Sequence, residues 1–149
     1  MKTTERRSAF TLIEVLIVVV IMAILAATII PQFTDSTKDA KASTVKFNLA
    51  TLRSQVQLYR TQHNGLNPSA TLVELTTSTG VDGSQGTGAA FPYGPYLRQI
   101  PVNPFSNSST VTVITVDPAV AGSVTGSGGW LYNVTTGNVW IDNSTYYTF

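Results

Sequence analysis

The sequence predicts an α+β protein in which one long N-terminal helix packs against a small antiparallel sheet. Three observations predict it. Residues 10–30 form a nearly unbroken apolar run. Beyond them, Ala42, Val45, Leu49, Leu52, Val56 and Tyr59 recur at spacings of three and four, which puts them on one face of a helix. After residue 110, three short stretches combine β-branched and aromatic residues between turn formers. The chain therefore divides into a basic leader at 1–9, an apolar helix at 10–30, an amphipathic helix at 31–63, and a head at 64–149 that holds a loop region and the sheet.

The apolar run is the right length for a membrane. Its residues at about 1.5 Å each span roughly 31 Å, close to a hydrocarbon core of about 30 Å. Thr11, Glu14 and Thr28 are its polar interruptions. Ahead of it, Lys2, Arg6 and Arg7 outweigh Glu5, which by the positive-inside rule places the N-terminus in the cytoplasm and everything after Pro31 outside. A cleaved secretory signal peptide has the same general form. It is disfavoured because the run is long, Glu14 interrupts it early, and Ala26-Ala27 leads into Thr28-Ile29-Ile30 rather than into a polar mature start. Glu14 is the informative residue. A carboxylate costs about 2.5–3.5 kcal/mol at the centre of a membrane helix, less near the interface, so a plain anchor would not keep it and a partner is expected.

Ala9-Phe10-Thr11-Leu12-Ile13-Glu14-Val15 closely resembles the N-terminal signature of the type IV pilin-like prepilin family, shared by pilins and the pseudopilins of type II secretion. The resemblance implies that a prepilin peptidase cuts between Ala9 and Phe10 on the cytoplasmic side and N-methylates Phe10, while the apolar segment stays in the mature protein. Ala9 departs from the family, which usually has Gly there. Resemblance also implies that residues 10–30 are the core of a filament, with helices side by side. There Glu14 of one protomer would neutralise the α-amine of Phe10 on the next, a pairing of cation and carboxylate that stands on ordinary chemistry.

Pro31 has no N–H for the carbonyl of Ala27 and its ring crowds that turn, so a kink or loosening is expected there. The stretch from Thr28 to Phe33 is similar to one in pilins and pseudopilins that often unwinds in assembled filaments. Alternatively, Pro31 simply begins the extracytoplasmic helix. A helix from Phe10 to Gln62 would be roughly 80 Å long. Asn64-Gly65 ends it, because both residues tolerate the left-handed conformation of a helix C-terminus.

In the head, residues 72–75 read as a short helical turn or an irregular contact, and 77–89 as a Gly/Ser/Thr-rich loop. Strands are expected at 111–116, 130–134 and 139–141, the last two joined by a hairpin turn with Gly137 at positive φ. Trp130, Tyr132, Trp140 and Ile141 are the candidate core, with alternation sending some of them outward. Gly94-Pro95-Tyr96-Leu97 followed by Ile100-Pro101-Val102-Asn103-Pro104-Phe105 narrows the resemblance to the major, G-type pseudopilins. Asn103, Phe105 and Ser106 stand where that pattern has Asp, Trp and Gly. Prolines stiffen such a connection, and Tyr96, Leu97, Ile100 and Phe105 are expected to pin it to the helix.

Composition excludes several classes. There is no Cys, hence no disulfide, unlike many type IV pilins. Removing the leader's surplus of two positive charges from a net +1 leaves side chains summing to −1, with Arg98 the only basic residue after Arg60, so no nucleic-acid surface is expected. His63, the single histidine, is expected to cap or solvate the helix end, and no Gly-x-Ser-x-Gly, His pair or Cys cluster points to an enzyme or a catalytic metal. Family pseudopilins often bind calcium in a C-terminal loop containing aspartates. Here Glu74, Asp82, Asp117 and Asp142 are well separated; Asp117-Pro118 and Asp142-Asn143 could each offer a ligand, but calcium wants six to eight oxygens. No cofactor is expected and no calcium ligand is assigned.

The resemblance thus implies a structural subunit that polymerises with other pseudopilins into a periplasmic fibre of a type II secretion system and helps export folded proteins. Before assembly it would sit as a single pass in lipid of the bacterial inner membrane, N-terminus cytoplasmic and head periplasmic. Its implied partners are the prepilin peptidase, an inner-membrane assembly platform and a secretion ATPase. The alternatives are a type IV pilin of a surface fibre, or a monomeric, signal-anchored binding module.

Overall fold

The computed structural model describes residues 10–117 and 119–149. The leader, with Ala9, and Pro118 lie outside them. A single α-helix, α1, runs from Leu12 to Gln62. The described chain divides after Asp39 into two compact units.

In the first unit every described residue is exposed, including the apolar series from Leu12 to Ile30. By length and composition this stretch can cross a membrane. Pro31 sits inside α1 and does not end it, so the loosening expected there is not a break in secondary structure. Hydroxyls in this region turn back onto the helix: Thr28 Oγ1 donates to the Leu25 carbonyl (2.9 Å), Thr34 Oγ1 to that of Ile30 (3.1 Å) and Thr37 Oγ1 to that of Phe33 (2.8 Å). The Thr28 bond satisfies its hydroxyl without water, which a segment that leaves water requires.

In the second unit α1 buries the expected stripe, Val45, Leu49, Leu52, Val56 and Tyr59, with Ala42 half-buried. Full burial of each such side chain contributes about 1.5–3 kcal/mol. The helix closes as the sequence predicts: Asn64 and Gly65 both take positive φ, and the Gly65 N–H reaches back to the Arg60 carbonyl at 2.9 Å.

Three strands follow, β1 (Val111–Val113), β2 (Trp130–Asn133) and β3 (Asn138–Ile141), in the order β1-β2-β3. The sheet is mixed, which corrects the antiparallel expectation. β2 and β3 form the predicted antiparallel hairpin, with Gly137 at φ 77°, but β1 pairs parallel to β2. A parallel neighbour needs a return connection of about a dozen residues or more, and residues 114–129 supply it. The first strand also stops three residues short of the predicted end.

Alternation along β2 and β3 sends Trp130, Tyr132, Val139 and Ile141 to the α1 stripe, together with Leu72 and Leu75. It sends Leu131 and Trp140 to the opposite face, where Ile114 and Ala119, with Val124 and Tyr147 half-buried, cover them. Both faces are dry. Arg53 ties α1 to this layer through the Val139 carbonyl (3.0 Å) and the Phe149 oxygen (2.7 Å).

The expected short turn forms as a 3-10 helix at Val73–Thr76, and Tyr96, Leu97, Ile100 and Phe105 all pack on the core as predicted. The Leu75 carbonyl accepts from both Tyr96 N (2.9 Å) and Leu97 N (2.8 Å). His63 is a correction. It meets the last turn, with Nδ1 2.7 Å from the Tyr59 carbonyl, but it is fully buried rather than solvated. A carbonyl only accepts, so Nδ1 donates. Its ring stacks on Tyr59 at 3.7 Å, and Nε2 lies 2.9 Å from Thr79 Oγ1.

Burial, followed by the negative charge of Glu74, pushes the Tyr59 hydroxyl up to about 12. A phenol held protonated in the fold but titrating near 10 when unfolded contributes stability below pH 10 that is lost as pH rises towards 12. Chemical denaturation followed by tryptophan fluorescence should show stability lost over that window, with Tyr59 accounting for about 2 kcal/mol of it. In Tyr59→Phe the loss should be visibly smaller, leaving the shares due to Tyr132 and Tyr96, which burial also raises.

Candidate functional site

Helix α1 begins with a reciprocal cap. Glu14 Oε2 accepts from Thr11 N at 3.0 Å and from Thr11 Oγ1 at 2.9 Å, and Glu14 N lies 3.3 Å from Thr11 Oγ1. This is a capping box, in which the residue before the helix and the third residue within it satisfy each other's backbone donors. Thr-x-x-Glu beside an apolar run is its signature, so the role of Thr11 is legible at Thr11-Leu12-Ile13-Glu14.

Phe10 is 85% exposed and lies two residues before the start of α1. With Glu14, Val15, Val18 and Val19 it lines a shallow apolar notch of about 350 Å³. A carboxylate at the edge of an apolar notch can accept a cation from a neighbouring helix whose apolar side chains fill the rest. Of the expected cleavage pair, Ala9 and the leader lie outside the described residues, and Phe10 is the first residue within them.

The four acidic side chains of the head are engaged separately. Glu74 accepts from Ser69 N and Oγ; Asp82 accepts from Ser84 Oγ (2.6 Å) and N (3.0 Å), bonds that hold its carboxyl below the usual range; Asp117 accepts from Asn138 Nδ2 at 2.7 Å. Asp142, 1% exposed, accepts from Thr125 N, Thr125 Oγ1, Gly126 N and Gly128 N. Among the described residues no three His, Cys, Asp or Glu side chains gather as metal ligands. The surroundings of Asp142 are donors, which suits an anion and does not fit calcium.

Asn103 is the other residue whose role only the fold discloses. Fully buried, it donates from Nδ2 to the Gly129 carbonyl (3.0 Å) and accepts at Oδ1 from Phe105 N (2.9 Å), so it locks the proline-rich connection to the strand layer. Trp130 Nε1 reinforces that contact by donating to the Pro101 carbonyl at 2.7 Å.

Residues 5–30 match the description of the prokaryotic N-terminal methylation motif. The type II secretion system core protein G of Pseudomonas aeruginosa is 32% identical over 109 residues, covering 69% of this chain and 71% of that protein. The chain belongs to the type II secretion core protein G family. Core protein G of Aeromonas hydrophila is 27% identical over 109 residues (69% of this chain, 71% of that protein), and that of Klebsiella pneumoniae 25% over 103 (69% and 72%). No solved structure matches the chain significantly. Family membership joins the helix start to the head: the methylation motif covers Thr11 and Glu14, and the core protein G match reaches well beyond it.

Proposed function

We propose that this protein is a structural, non-enzymatic subunit of a type II secretion pseudopilus, polymerising through the first half of α1 to help export folded proteins across the outer membrane. The observation that carries this reading is Glu14: a carboxylate on an exposed apolar helix face, lining one notch with Phe10, in a chain of the core protein G family. In a monomer anchored in lipid the side chain would serve the cap with Thr11 alone, which a neutral glutamine would complete as well. In a bundle of sister helices its charge has a use, because each new α-amine at Phe10 brings a cation into a region without water.

Prepilin peptidase would process the chain between Ala9 and Phe10 and methylate Phe10. The N-terminus would face the cytoplasm and the head the periplasm, with the assembly platform and secretion ATPase of the inner membrane as partners. The loop and strand surfaces of the head carry one basic residue, Arg98, beyond the end of α1, which fits a protein partner better than nucleic acid.

Deleting the gene should abolish secretion of type II substrates while any surface fibres remain. Loss of surface fibres with secretion intact would instead make the protein a type IV pilin. Mass spectrometry of the mature chain should find methylated Phe10 at its N-terminus. An intact leader on a chain that forms no crosslinks between protomers would return it to the class of anchored monomers.

A further inference from the structure

One carboxylate in the head is surrounded more completely than a surface aspartate needs to be. Asp142 follows β3 directly and is buried to 1% exposure. Its Oδ1 accepts from Thr125 N at 2.7 Å and Gly126 N at 2.9 Å; its Oδ2 accepts from Gly128 N at 2.8 Å and from the Thr125 hydroxyl. Three backbone N–H groups and one O–H converge on two oxygens.

The loop is shaped to make this possible. Gly126 takes φ 69°, a conformation that costs glycine little. At Gly128 a Cβ would lie 2.7 Å from Asp142 Oδ2, so only glycine lets the chain come this close. Just ahead, Val124 packs with Leu131 and Trp140 on the sheet face away from α1. Holding residues 125–128 therefore holds the cover of that face.

A cation cannot share this arrangement. Calcium seeks oxygen ligands at 2.3–2.6 Å, about six to eight of them. The groups pointing at Asp142 are donors with their positive ends inward, and each would have to be broken and turned away before an ion could bind.

We propose that Asp142 is a built-in anionic clamp that organises the 125–128 loop without a metal, so that the head of this protein folds independently of calcium. The claim concerns folding alone and stands whether or not the chain assembles into a pseudopilus.

The test uses the full chain in detergent. Trp130 and Trp140, the two tryptophans of the protein, both lie in the sheet and report on the head. Thermal melts in EGTA and in about 10 mM calcium chloride should give midpoints within about 1 °C of each other. A calcium site of even about 10⁻³ M affinity would raise the ratio of folded to unfolded protein about tenfold under these conditions, and that rise would overturn the proposal. Asp142→Asn, which turns an NH₂ towards the converging donors, should lower the ratio by about tenfold to a hundredfold in EGTA, with no recovery in calcium. Should that variant fail to fold, Thr125→Val removes one donor and keeps the shape; it should melt lower, and equally so with and without calcium. An unchanged midpoint in the variant that is measured, or recovery by calcium, counts against the clamp.

Discussion

Glu14→Gln is expected to leave the protein in the membrane and to stop it from forming fibres. Glutamine at this position still completes a capping box with Thr11, so the helix start survives the change. Insertion should be no worse, because a neutral amide costs less in lipid than a carboxylate. What disappears is the charge that would neutralise the α-amine of Phe10 on the next protomer. Leaving one partner of a desolvated ion pair unpaired costs about 3–5 kcal/mol, and in a polymer that cost recurs at every contact. Assembly should fall by more than a hundredfold, and secretion with it. Glu14→Ala should do the same. Thr11→Val separates the two roles of the carboxylate: losing the cap costs about 1 kcal/mol locally and should leave fibres formed. Fibre yield scored by electron microscopy alongside membrane fractionation decides the matter. Normal fibres from Glu14→Gln would mean that the carboxylate serves the helix start alone.

Asn103→Asp should be among the most damaging single changes in the head, although the pattern this chain resembles has Asp there. The buried amide gives one hydrogen to the Gly129 carbonyl and takes one from Phe105 N. An aspartate keeps the second bond and turns an anionic oxygen towards the Gly129 oxygen in place of the first. With no exposure to water to disperse the charge, the loss at neutral pH should be about 3–5 kcal/mol, a large share of the 5–15 kcal/mol that holds an ordinary domain together.

The variant also carries a pH signature. Once protonated, the new side chain can donate to Gly129, so its pKa in the fold lies above the unfolded value of about 4. Stability is then retained below that unfolded value and lost as pH rises through the folded one. Urea denaturation followed by tryptophan fluorescence should show the gap between variant and parent narrowing from about pH 7 to about pH 4. An equal gap at both would point to lost packing rather than a buried charge.

Much of the fold was legible because it rests on local rules. The α1 stripe follows from 3.6-residue periodicity, the helix end from Asn64-Gly65, the β2–β3 hairpin from Gly137, and the docking of Tyr96, Leu97, Ile100 and Phe105 from apolar residues between prolines. What stayed hidden depended on residues far apart in sequence. Nothing near residues 111–113 states which way the strand at 130–133 will run beside it, and nothing near Asp142 announces that Thr125, Gly126 and Gly128 will turn their hydrogens upon it. The sequence places His63 as a residue that caps or solvates the helix end; the cap forms, but its burial stayed hidden because local sequence does not reveal that Thr79 and Tyr93 fold over its ring.

Hydrophobic period and turn chemistry are properties of neighbouring residues, and so the membrane-length helix with a carboxylate near its start, its amphipathic continuation and the β-rich head can all be read along the chain. Tertiary structure alone decided that the sheet is mixed, that both its faces are covered, and that Asn103 and Asp142 are internal fasteners. The reason is physical: a buried polar group must find its partners wherever the folded chain brings them, and those partners can lie anywhere along it.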